Sequence, residues 1–146
     1  MAMQYKLMDE ADIGSIVPLY IEYYNTKENG QWTKDTVYKR IHQVWSREDS
    51  YCLMMLENQK IIAFAMGYFE QYDDCKTYDL IEIVVAVEYQ GKGIGTSLMQ
   101  ELEAEVKEKG AMNIQLQAVN DEPHEQFYGK LGYKNVSNLV LKCKPL

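Results

Sequence analysis

A run of β-branched residues, Ile83, Val84, Val85 and Val87, gives way at Gln90-Gly91-Lys92-Gly93-Ile94-Gly95 to a segment in which Ile94, Leu98, Leu102 and Val106 recur every four residues. That spacing predicts a strand, a glycine-rich turn and then a helix. The junction specifies a site for an anion. Three glycines in five positions remove Cβ atoms, so a bulky polyanion can approach the backbone closely. The helix that follows leaves its first N–H groups without intrahelical partners, and its dipole places partial positive charge at that end. A strand, a glycine turn and a helix N-terminus together make a phosphate cradle.

Spacing excludes two common phosphate binders. A dinucleotide fingerprint starting at Gly91 or Gly93 needs glycine at position 96 or 98, where Thr96 and Leu98 stand. A P-loop needs Ser or Thr after its Gly-Lys pair, and Lys92 is followed by Gly93. The formal net charge of −7 argues against nucleic acid as a partner and favours a cationic one, such as an amine. No apolar stretch approaches the ~20 residues that cross a bilayer, and no basic-then-apolar leader opens the chain, so a cytoplasmic protein without a membrane partner is expected. Three widely spaced cysteines, Cys52, Cys75 and Cys143, make a disulfide framework improbable. His42 and His124 have no Cys or His at ligand spacing, so no metal is expected. With 146 residues and neither repeat nor linker, one domain over residues 1–146 is expected.

The remaining elements follow from periodicity. Residues 3–8 alternate as a short strand, and Asp9 caps a helix carrying Ile13, Val17, Tyr20, Ile21 and Tyr24, with a kink or break expected at Pro18. Thr33 caps a second helix whose apolar face is Val37, Ile41, Val44 and Trp45. Strands are expected over 51–56 and 61–69 as a hairpin, over 78–87 into the glycine turn, and over 114–118. Gly110 ends the third helix, and Pro123 opens a short fourth one that Gly132 stops. Residues 133–144 read as a final strand pair or one long strand.

Gln90-x-x-Gly93-x-Gly95 matches Q/R-x-x-G-x-G/A, and the chain resembles the GCN5-related N-acetyltransferase (GNAT) superfamily. Val-x-x-Glu-Tyr before the turn and Phe127-Tyr128-Gly129-Lys130-Leu131-Gly132-Tyr133 after it strengthen the likeness, which spans nearly the whole chain. The resemblance implies an α/β (α+β) fold, a mixed twisted sheet with helices on both faces, in the order β-α-α-β-β-β-α-β-α-β. It implies acetyl-CoA as cosubstrate, its pyrophosphate on Gln90, Gly91, Lys92, Gly93, Ile94, Gly95 and Thr96, and its pantetheine arm along the backbone of Ile83, Val84 and Val85. Tyr128 is the implied general acid toward the coenzyme sulfur, and Glu82, which interrupts an apolar run, the implied general base. One departure stands out: the family's asparagine seven residues before the tyrosine is Asp121 here, with Asn120 one residue early as the substitute ligand.

The reaction so implied is direct transfer of an acetyl group to the primary amine of a small molecule or peptide. Aromatic residues (Tyr20, Tyr23, Tyr24, Trp32, Tyr68, Tyr72, Tyr78) and carboxylates (Glu22, Glu28, Glu70, Asp73, Asp74, Asp79) fall in the segments that build the acceptor pocket, which suits a cation with an apolar body. The other reading is a non-catalytic acyl-CoA-binding sensor or interaction module. The C-terminal strands offer a surface for a homodimer without fixing a subunit count.

Overall fold

The computed structural model describes residues 3–146. Five strands form one sheet in the order β1 (Met3–Leu7), β2 (Ser50–Glu57), β3 (Lys60–Gln71), β4 (Lys76–Val85) and β5 (Ile114–Leu116). The first four are antiparallel neighbours, and β5 runs parallel to β4. Helices α1 (Ile13–Lys27) and α2 (Lys34–Trp45) follow β1, α3 (Ile94–Glu108) connects β4 to β5, and α4 (Glu122–Lys130) follows β5. A parallel pair cannot be joined by a tight turn, so α3 must carry the chain back across the sheet.

Two apolar layers sandwich the sheet. On one face Ile13, Ile16, Val17 and Tyr20 of α1 and Val37, Ile41 and Val44 of α2 cover Cys52, Met54, Phe64, Met66 and Val84. On the other, Leu98, Met99, Leu102 and Val106 of α3 cover Leu53, Met55, Ala63, Ala65, Tyr78 and Leu80, with Phe127 and Leu131 packed alongside. The expected mixed sheet with helices on both faces is therefore present. No helix among the described residues is long and apolar enough to cross a membrane.

Most capping signals act as expected. The Thr33 hydroxyl accepts from the Thr36 N–H at 3.2 Å, and Gly110 and Gly132 leave their helices with φ of 102° and 93°. The break expected at Pro18 does not occur, and α1 runs through it. Pro18 lies in the second turn, where its missing N–H forfeits one helical bond while the fully buried Ile13 and Ile16 hold the segment in place. Strand β4 ends at Val85 rather than 87, because Val87–Tyr89 tighten into a 3-10 turn.

Besides a register shift between β2 and β3 at Met55 and Leu56, two irregularities were not expected from the sequence. The register of β3 with β4 passes from Met66↔Glu82 to Gly67↔Leu80, leaving Ile81 as an extra residue in a β-bulge. Side-chain alternation therefore slips by one. Tyr78 and Leu80 face the α3 layer, whereas Ile81 and Val84 face the α1–α2 layer. The second concerns residues 133–144, which form no strand: beyond Tyr133, whose N–H bonds the Tyr128 carbonyl at 3.0 Å, no described backbone hydrogen bond involves the chain. Alternation shows that a segment suits a pleated ladder, but a strand also needs a neighbouring edge, and here none is engaged.

Candidate active site

The β4–β5 ladder is short, pairing Tyr78, Asp79 and Leu80 with Ile114, Gln115 and Leu116 and then stopping. Past Leu80 the two strands part, and a cleft of about 560 Å³ opens between β4, residues 116–119, the glycine turn, α4 and the end of α1. The bulge and the parting of the strands lie side by side. Ala86 N–H bonds the Ile62 carbonyl at 2.8 Å, so by strand alternation Val84 directs its amide to β3, and Ile83 and Val85 direct theirs into the cleft. The Val84 side chain is buried in the α1–α2 layer.

At the glycine turn, the amides of residues 91–96 donate to no acceptor among the described residues, and the first helical bond of α3 comes only from Ser97 to Gly93. Gly91 and Gly93 have φ of 75° and 78°, the left-handed region that glycine enters without cost. A Cβ at either would meet nothing within 4 Å, so the space before these amides is open. Gly95 serves packing: a Cβ there would sit 3.2 Å from the Phe127 ring of α4. Gln90 ties the turn to the strand, donating from Nε2 to the Val85 carbonyl at 3.1 Å. Gln90, Gly91, Gly93, Ile94, Gly95 and Thr96 all line the cleft, together with Glu82, Ile83, Val85 and Tyr128. Lys92 and Asn120 do not; Lys92 holds its Nζ 5.5 Å from the centre of the Tyr89 ring.

Glu82 sits at the cleft's inner wall, 6% exposed. Its Oε2 accepts from the Tyr20 hydroxyl at 2.7 Å and from Arg40 Nε at 3.0 Å, and its Oε1 accepts from the Tyr24 hydroxyl at 2.6 Å. All three donors stand on α1 and α2, reached only because the bulge at Ile81 turns Glu82 toward that layer. Burial first, and the Glu82 charge second, push the phenols of Tyr20 and Tyr24 far above their ordinary range, so both remain donors. Replacing Glu82 with Gln puts an amide NH2 against groups that are themselves donors. Glu82→Gln is therefore expected to destabilise the fold by about 2–3 kcal/mol, read as a lower urea midpoint at unchanged slope.

Tyr128 lies across the cleft on α4. Its ring packs edge-on against Phe127 and Tyr133, at 5.0 and 5.8 Å between centroids. Its hydroxyl has no hydrogen-bond partner among the described residues, although the hydroxyls of Tyr20, Tyr23, Tyr24, Tyr78 and Tyr133 each have one. Burial, then the Glu82 charge, raises the Tyr128 phenol above its ordinary value, so at neutral pH it carries its proton.

Sequence reasoning passed over a neighbour of this site. His124 lines the cleft, with Nδ1 2.6 Å from Asp121 Oδ1 and Nε2 4.0 Å from Glu28 Oε1. Asp121 is the N-cap of α4, accepting from the His124 N–H at 3.0 Å, and this contact first of all holds its carboxyl below the usual range. Asp-x-x-His before an apolar helical face was a legible capping signal. Its proximity to Glu28, 93 or more residues distant in sequence, was not legible. Of the aromatic and acidic residues grouped for the acceptor, Tyr23, Tyr24 and Glu28 line the cleft, and Tyr20 and Tyr78 are core. Tyr68 and Tyr72 instead donate to Glu70, away from the cleft, at 2.9 and 2.7 Å. The described residues contain no cluster of three or more His, Cys, Asp or Glu fit for a metal.

Comparison with known proteins bears on the fold and the family. The chain is 32% identical over 104 residues to the uncharacterized protein YxbD of Bacillus subtilis (strain 168), a match spanning 66% of this chain and 61% of that protein. A possible acetyltransferase from Clostridium difficile 630 superposes with a TM-score of 0.83 at 15% identity, covering 100% of this chain and 99% of its own. A GNAT family acetyltransferase from Staphylococcus aureus subsp. aureus USA300_TCH1516 does so with a TM-score of 0.74 at 20% identity over the whole of both chains. The model of the acetyltransferase (GNAT) family matches residues 15–133, which take in both helices of the Glu82 network, the glycine turn and Tyr128, and the chain belongs to that family.

Proposed function

We propose that this protein is an acetyl-CoA-dependent N-acetyltransferase acting on the primary amine of a small molecule or peptide. One observation carries the reading: the amides of residues 91–96 donate to no acceptor among the described residues, and Gly91, Gly93, Ile94, Gly95 and Thr96 line the same cleft as Tyr128, whose hydroxyl has no partner among them either. The residues fit the coenzyme. The glycine turn has donors and room for a pyrophosphate, Lys92 stands beside it, and the cleft-facing amides of Ile83 and Val85 suit an extended, amide-bearing arm laid along β4. Asn120 is the remaining candidate for that arm, at the end of the opposite wall. Bound there, acetyl-CoA supplies an acyl thioester whose C–S bond breaks as the C–N bond of the product amide forms.

The chain's own residues supply proton transfers and charge. Tyr128 gives its phenolic proton to the departing sulfur. Glu82 takes the proton of the amine through Tyr24, whose hydroxyl already donates to Oε1 and passes that proton on as it receives one. With the Glu82 charge paired to Arg40, Glu28 makes the acceptor end of the cleft anionic, which favours an ammonium over a neutral or anionic acceptor. The free thiols Cys52, Cys75 and Cys143 fit a reducing compartment, and we assign the protein to the cytoplasm on that basis.

The test is thiol release from acetyl-CoA across a panel of small and peptidic amines, with coenzyme binding followed by calorimetry. Binding with turnover on at least one amine supports the proposal; binding without turnover on any makes the protein a non-catalytic acyl-CoA module. Gly93→Glu is expected to weaken coenzyme binding at least ~100-fold with the circular dichroism spectrum retained, since a carboxylate in that cradle opposes the phosphates and the residue also bears left-handed strain of about 1 kcal/mol. Unchanged binding in this variant would remove the glycine turn from the site.

A further inference from the structure

An acceptor amine that arrives as an ammonium sheds two protons on its way to the amide. One must leave before attack, to free the lone pair of nitrogen, and the other leaves as the C–N bond forms. The path through Tyr24 to Glu82 accounts for the second, which replaces the proton that Tyr128 gives to sulfur. The first needs an acceptor of its own, able to pass it on to solvent. Glu82 is ill suited to that step, since its oxygens already accept from Tyr20, Tyr24 and Arg40 and it is 6% exposed.

The first turn of α4 supplies such a group. His124 lines the cleft, as does Tyr128 four residues later, so both stand on one face of α4, about 6 Å apart along its axis. Asp121 fixes the ring. Its Oδ1 lies 2.6 Å from His124 Nδ1 and also accepts from the His124 N–H at 3.0 Å. The backbone bond, then the ring bond, hold the Asp121 carboxyl below its usual range, so at neutral pH it is ionised and can only accept. The proton between them therefore belongs to Nδ1.

In the neutral ring, Nε2 keeps its lone pair. It stands 4.0 Å from Glu28 Oε1, which also accepts from the Tyr23 hydroxyl at 3.2 Å. An ammonium nitrogen about 2.8 Å from both atoms would meet them at roughly 90°, so it can donate to carboxylate and imidazole together. The charged groups facing the ring are Asp121 on its own helix and Glu28 at the end of α1, and both face the positive charge the ring acquires when Nε2 takes a proton. The His124 and Asp121 side chains are 27% and 42% exposed, which gives that proton a direct exit to water.

We infer that His124 takes the first proton of the acceptor ammonium at Nε2 and releases it to solvent, with Glu28 holding the ammonium and Asp121 fixing the ring. The acceptor is accordingly an alkylamine, charged at neutral pH. An N–H bond of the ammonium breaks and an Nε2–H bond forms, while the electron pair stays on nitrogen and then attacks the thioester carbon. Summed over the reaction, ammonium and thioester give amide, thiol and one proton, the one that leaves through His124. The inference rests on the proposed N-acetyl transfer.

The test is the pH profile of kcat/KM on the full chain, with acetyl-CoA and each alkylamine of the panel. The wild type is expected to be level from about pH 7.5 to 9, because the enzyme deprotonates the ammonium itself. His124→Gln keeps the cap, since Gln suits the third helical position behind Asp121. Only amine already neutral in solution reacts with this variant. Its kcat/KM should be at least ~100-fold lower at about pH 7.5 and climb about tenfold per pH unit toward wild type. Glu28→Gln should raise KM about 10-fold with kcat within about threefold. In 15N NMR of the unliganded wild type, the neutral His124 ring should carry its proton on Nδ1, and His124→Gln identifies its signal beside that of His42. Wild-type and His124→Gln profiles of equal slope overturn the inference and leave the acetyltransferase reading intact. So do a neutral ring protonated on Nε2, an unchanged KM in Glu28→Gln, or turnover confined to amines uncharged at neutral pH. A wild type that turns over no amine overturns both.

Discussion

Tyr128→Phe is expected to lower turnover by about 10²- to 10⁴-fold, the range that a positioned general acid supplies, while coenzyme affinity changes by no more than about twofold. The ring makes its contacts with Phe127 and Tyr133 through its edges and faces, and phenylalanine keeps them. Only the hydroxyl is lost, and it has no partner among the described residues to leave unpaired, so the fold should be indifferent to the change. The pH dependence adds a second readout. The folded phenol titrates above the ordinary 10.0, because burial and the Glu82 charge both disfavour the phenolate. The protonated, active form is therefore complete through neutral pH and is lost only as pH rises through that raised value. An alkaline limb above pH 10 in wild-type turnover should be missing from the variant. A loss of less than about threefold, with the limb intact, would make Tyr128 a packing residue.

Gly67→Ala is expected to cost about 3 kcal/mol of stability, which for a chain of this length lowers Tm by roughly 6–12 °C. A Cβ at position 67 would stand 2.2 Å from the Asp79 carbonyl oxygen and 2.7 Å from the Tyr78 ring, and the first of these is backbone that cannot swing aside. Gly67 is the β3 residue at which register shifts, so the contact that forbids a side chain is the one that shapes the bulge. Relief requires the strands to separate or the bulge to move. Either change disturbs the phase that turns Glu82 toward Tyr20, Tyr24 and Arg40. Calorimetric melting measures the first effect, and turnover of the folded variant at low temperature measures the second. An alanine variant that melts within about 2 °C of wild type would show that the bulge survives without this close approach.

The fold was legible where local chemistry and periodicity agreed. Thr33, Gly110, Pro123 and Gly132 punctuate helices whose apolar stripes repeat at helical spacing, and each acts where the residues indicate. The glycine turn was equally legible, because its requirement for close approach and left-handed backbone is written in the identity of residues 91, 93 and 95. At Pro18 a local rule lost to tertiary packing, since a buried apolar face outweighs one missing helical bond. Residues 133–144 have the alternation of a strand but form none, because the partner edge a strand needs is not a property of the segment itself.

The site divides in the same way. The sequence alone determined that a glycine-rich turn and a helix N-terminus follow β4, that a tyrosine stands in the Phe127–Tyr133 motif, and that a carboxylate interrupts an apolar strand at Glu82. Only the tertiary structure decided which way Glu82 points, which three donors hold it, and that His124 comes within 4.0 Å of Glu28. Cradles and caps depend on residues adjacent in the chain, whose backbone angles are set locally. The Glu82 network depends instead on a one-residue slip between β3 and β4, at a close approach of the Asp79 backbone to Gly67 that neither strand encodes by itself.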